Sequence, residues 1–149
     1  MSNPYPPDSV PEDYDDGTMP SNVETLSEHV VGHRIVSAEL GGFGSKANYW
    51  GRDHGLVLTL DNGVRVCLAD TSDCCAYTDL KAFLLHPEKV DHVITGVATT
   101  GGYTKWHIFA DLGDVLELTV EWSCGNPFYY GYGFDIMVEP APEPEGGAS

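Results

Sequence analysis

The sequence predicts a small antiparallel, β-rich domain of the α+β class, with two hairpins, a final strand, one or two short helices and disordered acidic ends. Three observations carry this. Two runs alternate apolar and polar residues around a glycine-containing turn, a third alternating run lies near the C-terminus, and proline and acidic residues gather at the two ends.

Residues 1–28 hold seven acids and no Lys or Arg, and together with residues 140–149 they carry eight of the ten prolines. Such segments bury too little apolar surface to offset chain entropy. The predicted organisation is therefore a disordered arm over 1–28, a globular domain over 29–139 and a disordered tail over 140–149. The arm serves either as a solubilising tail or as a docking arm for a basic partner, with Tyr5 and Tyr14 as its anchors.

The net charge of −16 is concentrated in these ends, since residues 29–138 contain 13 acids and 7 bases, which leaves −6. A surface of this sign repels phosphates, so direct nucleic-acid binding is not expected and a nucleic-acid mimic ranks low. The opening MSNPYPPDSVPEDYDD has neither the basic region nor the apolar run of a leader. No stretch reaches the roughly 18 apolar residues of a membrane helix. The expectation is a soluble, cytoplasmic protein without membrane contact.

Alternation begins at HRIVSAEL, where Ile35 and Val36 point to opposite faces. GGFGSKANYWG follows. It lacks the phosphate-binding spacing, because Lys46 comes after Ser45 and Ala47 stands where a third glycine is needed, so it reads as a loop between strands. In GLVLTLDNGVRVCLAD, Leu56, Leu58 and Leu60 alternate with Val57 and Thr59. Asn62-Gly63 is expected to supply the positive φ angles of a tight turn, and Cys67 falls on the face opposite Val66 and Leu68. Leu80, Phe83 and Leu84 have helical spacing, and Pro87 with Glu88 suits a first helical turn, so short helices are predicted between the hairpins. The alternative is a strand over Ala76–Leu85. The second hairpin is TKWHIFA and VLELTVEWS around DLGD, with Leu116, Leu118, Val120 and Trp122 on one face. The last strand alternates Phe134, Ile136 and Val138.

The motif order Asp73-Cys74-Cys75 after a hairpin, then a short segment, then a strand ending in WSCGNPFYY resembles a small domain family of bacteriophages and bacteria that has no assigned function. Members carry D-C-C-E, G-D-L-x-D-L-I-G and W-x-G-S-N-G-Y-Y in that order. The resemblance spans about residues 32–138 and points to Asp73, Cys74, Cys75, Trp122, Asn126, Tyr129 and Tyr130. Here the Glu is replaced by Ala76, HPEKVDHVITG stands for the second motif, and the last turn is one residue longer. The resemblance implies a phage-associated accessory protein and adds no reaction.

The residues themselves place little chemistry. Zinc sites usually declare themselves by paired spacing. Cys67, Cys74, Cys75 and Cys124 form no C-x-x-C, and the one H-x-x-x-H, His29 and His33, lies at an element boundary. Cys74 and Cys75 point apart on an extended chain, and Asp73 and Asp79 disfavour a thiolate. Asp73 reads as a turn or cap residue. Asp73, Asp111, Asp114 and His107 form no pattern that demands one acid–base pocket. No metal, cofactor or catalytic residue is therefore assigned, and a Cys-centred metal-binding or thiol enzyme is an alternative.

The strongest binding signal is the aromatic run WSCGNPFYYGYGF, whose rings and glycines fit either a twisted edge strand or a contact surface. Trp122, Asn126, Phe128, Tyr129, Tyr130 and Tyr132 are taken as the candidate protein-binding residues. The expected function is a non-enzymatic phage accessory protein that binds a host or phage protein in the host cytoplasm. The alternative is a virion or decoration component.

Overall fold

The computed structural model describes residues 5, 8, 10, 17–40, 55–73, 76–123 and 132–140, with the side chains of Ser72 and Asp73 excluded. Among the described residues one helix, α1 (Thr18–Val30), precedes nine strands. These are β1 (Ile35–Leu40), β2 (Gly55–Leu60), β3 (Arg65–Ala69), β4 (Thr71–Asp73), β5 (Ala76–Leu85), β6 (Gly96–Thr100), β7 (Lys105–Ala110), β8 (Gly113–Ser123) and β9 (Asp135–Glu139), with one 3-10 turn at Pro87–Lys89. They form two antiparallel sheets, of order β1-β2-β3-β9 and β4-β5-β8-β7-β6. The α+β, β-rich class is as predicted.

One core cluster draws Leu56, Leu58, Leu60, Val66 and Leu68 from the first sheet and Leu80, Trp106, Ile108, Leu116, Leu118 and Val120 from the second. These are the inward positions of alternating strands. The Asn62-Gly63 hairpin forms, but only Gly63 takes positive φ, at 89°. Gly63 N–H donates to Leu60 carbonyl and Leu60 N–H to Val64 carbonyl, each at 2.9 Å. This is the three-residue connection that ends in a left-handed glycine, in place of the expected two-residue turn.

Two expectations are corrected. Residues 18–28, predicted to be disordered, lie in α1. Met19, Val23, Leu26 and Val30 fall at a four-three-four spacing, and all but Val23, which is partly buried, are fully buried in the core. The acidic composition masks this stripe, because Glu24 and Glu28 occupy the other face. Asn22 ties the helix to the last strand: its Nδ2 donates to Phe134 carbonyl at 3.0 Å, and Phe134 N–H donates to its Oδ1 at 2.9 Å. Gly32, at φ 90°, ends the helix and donates from N–H to Ile94 carbonyl at 2.9 Å.

The second correction concerns Ala76–Leu85, which is strand β5, paired with β8 from Tyr77↔Ser123 to Leu85↔Leu116. The Leu80, Phe83, Leu84 spacing imitates a helix because the register shifts between Leu80 and Ala82, and the extra residue breaks the alternation. Only Pro87–Lys89 is helical in this region.

Candidate functional site

Among the described residues, the outer face of the second sheet brings His107, Asp114 and Glu117 together. In β7, Trp106, Ile108 and Ala110 face the core, while His107 and Phe109 face away from it and are nevertheless buried, at 7% and 3% exposure. Tyr5 covers them. Its ring stacks on His107 with centroids 4.1 Å apart and tilts against Phe109 at 5.8 Å.

His107 Nδ1 lies 2.9 Å from Asp114 Oδ2, and its Nε2 lies 2.9 Å from Thr100 Oγ1. Tyr5 hydroxyl donates to the other carboxylate oxygen, Asp114 Oδ1, at 2.6 Å. Burial, and then the bond to Asp114, hold the phenol well above its ordinary range, so it remains a donor. Glu117 lies directly opposite His107 across the sheet, and its Oε2 is 2.7 Å from His86 Nε2.

Asp114 and Glu117 are three residues apart, so on a regular strand they would point to opposite faces. The register shift between Ile108 and Phe109 pairs Ile108 with Leu116 and Phe109 with Asp114, which leaves Val115 as an extra residue. Val115 and Leu116 are both fully buried, and Asp114 is brought to the same face as Glu117. This bulge assembles the cluster. Alternation alone would have separated it, which is why His107 and Asp114 were visible only as isolated residues in the sequence.

A second feature lies in the β6–β7 connection. Gly101, Gly102 and Tyr103 take φ of 68°, 70° and 65° in succession. Gly102 N–H donates to Asp8 Oδ1 at 3.0 Å and Tyr103 N–H to Asp8 Oδ2 at 2.7 Å. Tyr103 hydroxyl donates to Asp8 carbonyl at 3.1 Å. Consecutive amides of this handedness form a concave donor site for an anion, here filled by the chain's own carboxylate. Tyr5 and Asp8 thus fasten the acidic arm to the domain.

The predicted binding residues divide. Trp122 is half-buried. It stacks on Tyr132 with centroids 5.6 Å apart at 11°, and its Nε1–H donates to Gly102 carbonyl at 2.9 Å. Tyr132 is 8% exposed and belongs to the core. These two rings therefore stabilise the sheet end and offer little contact area, contrary to the expectation of an exposed patch. Asn126, Phe128, Tyr129 and Tyr130 lie outside the described residues, as do Cys74 and Cys75. Asp73 pairs with Ala76, the residues that flank the two cysteines in the chain.

Cys67 is fully buried against Val57 and Ala69 on the outer face of the first sheet. Burial, then Asp135, push its thiol from 9.0 up to about 11. A raised acid is neutral in the fold, so its contribution to stability is complete below about pH 9 and is lost as pH rises through about 11. With Cys74, Cys75 and Cys124 replaced by serine, native Cys67 is expected to react with a disulfide reagent at pH 8 about a hundredfold more slowly than a free thiol. Unfolding in urea should restore the fast rate, and a fast native reaction would contradict this environment.

No curated protein and no solved structure matches the chain. A family model matches residues 28–136, from the end of α1 into β9, and leaves Tyr5 and Asp8 outside the matched segment. That span is well over half of the 149 residues, and the chain belongs to the family described as a domain of unknown function (DUF7448).

Proposed function

We propose that the domain is a non-enzymatic accessory protein of a bacteriophage and binds a protein partner in the host cytoplasm, with strand β1 as the contact. The carrying observation is the exposure of Val36 and Leu40, each at 63%, on a strand that has one hydrogen-bonded neighbour among the described strands. Apolar residues on an open edge invite pairing with another chain, and soluble proteins usually guard such edges with charge or proline. Leu40 also lines a groove of about 260 Å³ with Leu80, Lys81, Ala82 and Phe83, close to Leu84, which is 55% exposed. An extended, basic segment of another protein suits this edge, because the chain carries −16 and its acidic residues steer a basic partner toward it.

The test is quantitative capture from infected host extract by the wild type and by a Val36→Lys, Leu40→Lys variant. A specific partner should be retained by the former and reduced at least about tenfold by the latter, a change of roughly 1.4 kcal/mol. The variant's thermal midpoint should be unchanged, since both side chains are exposed. Equal capture by both proteins would remove β1 as the contact. Stoichiometric recovery of the protein in purified particles would replace this reading with that of a virion component. Deleting residues 1–28 is a poor probe, because it removes Met19 and Leu26 from the core.

A further inference from the structure

We propose that the outer face of the second sheet binds a divalent transition-metal ion through His107, Asp114 and Glu117, with Tyr5 as its cover. One ligand atom from each of the three residues lies within 4.8 Å of the others. The His107 Nδ1 to Asp114 Oδ2 separation of 2.9 Å is close to the ligand–ligand spacing around one small cation. For zinc bonds of about 2.0–2.2 Å, a tetrahedral edge is near 3.3 Å, so Glu117 must swing inward by about an ångström, which its flexible side chain permits.

Three further observations favour a built site over a chance cluster. Each ligand has its own outer partner: Thr100 Oγ1 at His107 Nε2, Tyr5 hydroxyl at Asp114 Oδ1, and His86 Nε2 at Glu117 Oε2. Hydrogen bonds of this kind orient metal ligands and tune their basicity. The bulge at Val115 is what brings Asp114 to the ligand face. The charge is also unbalanced, because among the described residues the ion-pair partners of Asp114 and Glu117 are imidazoles. Of the nearby lysines, Lys105 donates from Nζ to Thr119 Oγ1 at 3.3 Å and Lys89 Nζ lies beside Gly113. A divalent cation would neutralise two partly buried carboxylates whose ion-pair partners among the described residues are histidines.

The ligand set of one imidazole and two carboxylates suits zinc or manganese better than magnesium, which favours all-oxygen shells and retains its water. Tyr5 ties the occupied site to the arm, since its ring lies on His107 and its hydroxyl on Asp114. The ion would therefore lock the N-terminal arm onto the sheet.

The experiment is calorimetric titration of chelator-treated full-length protein with ZnCl2, MnCl2 and MgCl2 in turn. One equivalent of zinc is expected, with manganese weaker and magnesium weakest, and cleavage of the arm by protease should slow when zinc is bound. His107→Ala and Asp114→Asn should each weaken zinc at least a hundredfold. Glu117→Gln changes a more exposed residue and serves where the other variants fail to fold, and it should also weaken zinc. A Cys67, Cys74, Cys75 and Cys124 to serine variant should bind as the wild type does. Absence of zinc binding at micromolar concentration would overturn the proposal. So would binding that survives His107→Ala and Glu117→Gln but disappears in the cysteine variant, which would place the ion on the thiols.

Discussion

Trp106→Ala is expected to lower the stability of the domain by about 3–5 kcal/mol, the range for removing a fully buried large aromatic side chain. Trp106 is 0% exposed and meets Phe134 edge-on, with centroids 5.3 Å apart. That contact joins the second sheet to the segment leading into β9, so the cavity would open between the two sheets. The indole also donates from Nε1 to Tyr103 carbonyl at 3.0 Å, a buried hydrogen bond that truncation removes. Urea unfolding monitored by far-ultraviolet circular dichroism measures the loss. Trp106→Phe keeps most of the volume and loses only the donor, so it should cost less than half as much. A loss below about 1 kcal/mol for the alanine variant would mean that the two sheets do not share this core.

Asp8→Ala is expected to release the N-terminal arm and to cost about 1.5–3 kcal/mol, the range for hydrogen bonds to a charged group. The carboxylate accepts from the amides of Gly102 and Tyr103, which sit in a run of three positive-φ residues. Tyr103 carries a Cβ in that conformation, at φ 65°, so the turn is strained without its acceptor. The clearest readout is limited proteolysis ahead of Gly17, which should become at least ten times faster, together with a fall of several degrees in the thermal midpoint. Asp8→Asn retains one acceptor oxygen and should lie between wild type and alanine. Cleavage of the arm at the wild-type rate in Asp8→Ala would show that this contact does not hold it.

Much of the strand framework is legible in the chain. The alternation of Leu56, Leu58 and Leu60, and of Leu116, Leu118 and Val120, sorts these residues to one face and locates strands β2 and β8. The apolar stripe of α1 was present too, but a strongly acidic, proline-rich setting hid it. Its stability comes from docking Met19, Leu26 and Val30, which local composition cannot report. Strand β5 misled for a different reason: a one-residue bulge turns period two into something resembling period 3.6 over a few residues.

The polar cluster was least legible. Its members come from the arm, from β6, β7 and β8, and from the residue ahead of the 3-10 turn, and they converge only in three dimensions. By itself, the sequence determined the β-rich class, the alternating strands β2, β3, β7 and β8 and the acidic character, because periodicity and charge are local properties of a chain. Tertiary structure decided which strands pair, that the Val115 bulge puts Asp114 beside His107, and that Trp122 and Tyr132 are packed away, because each depends on long-range contacts that no window of neighbouring residues contains.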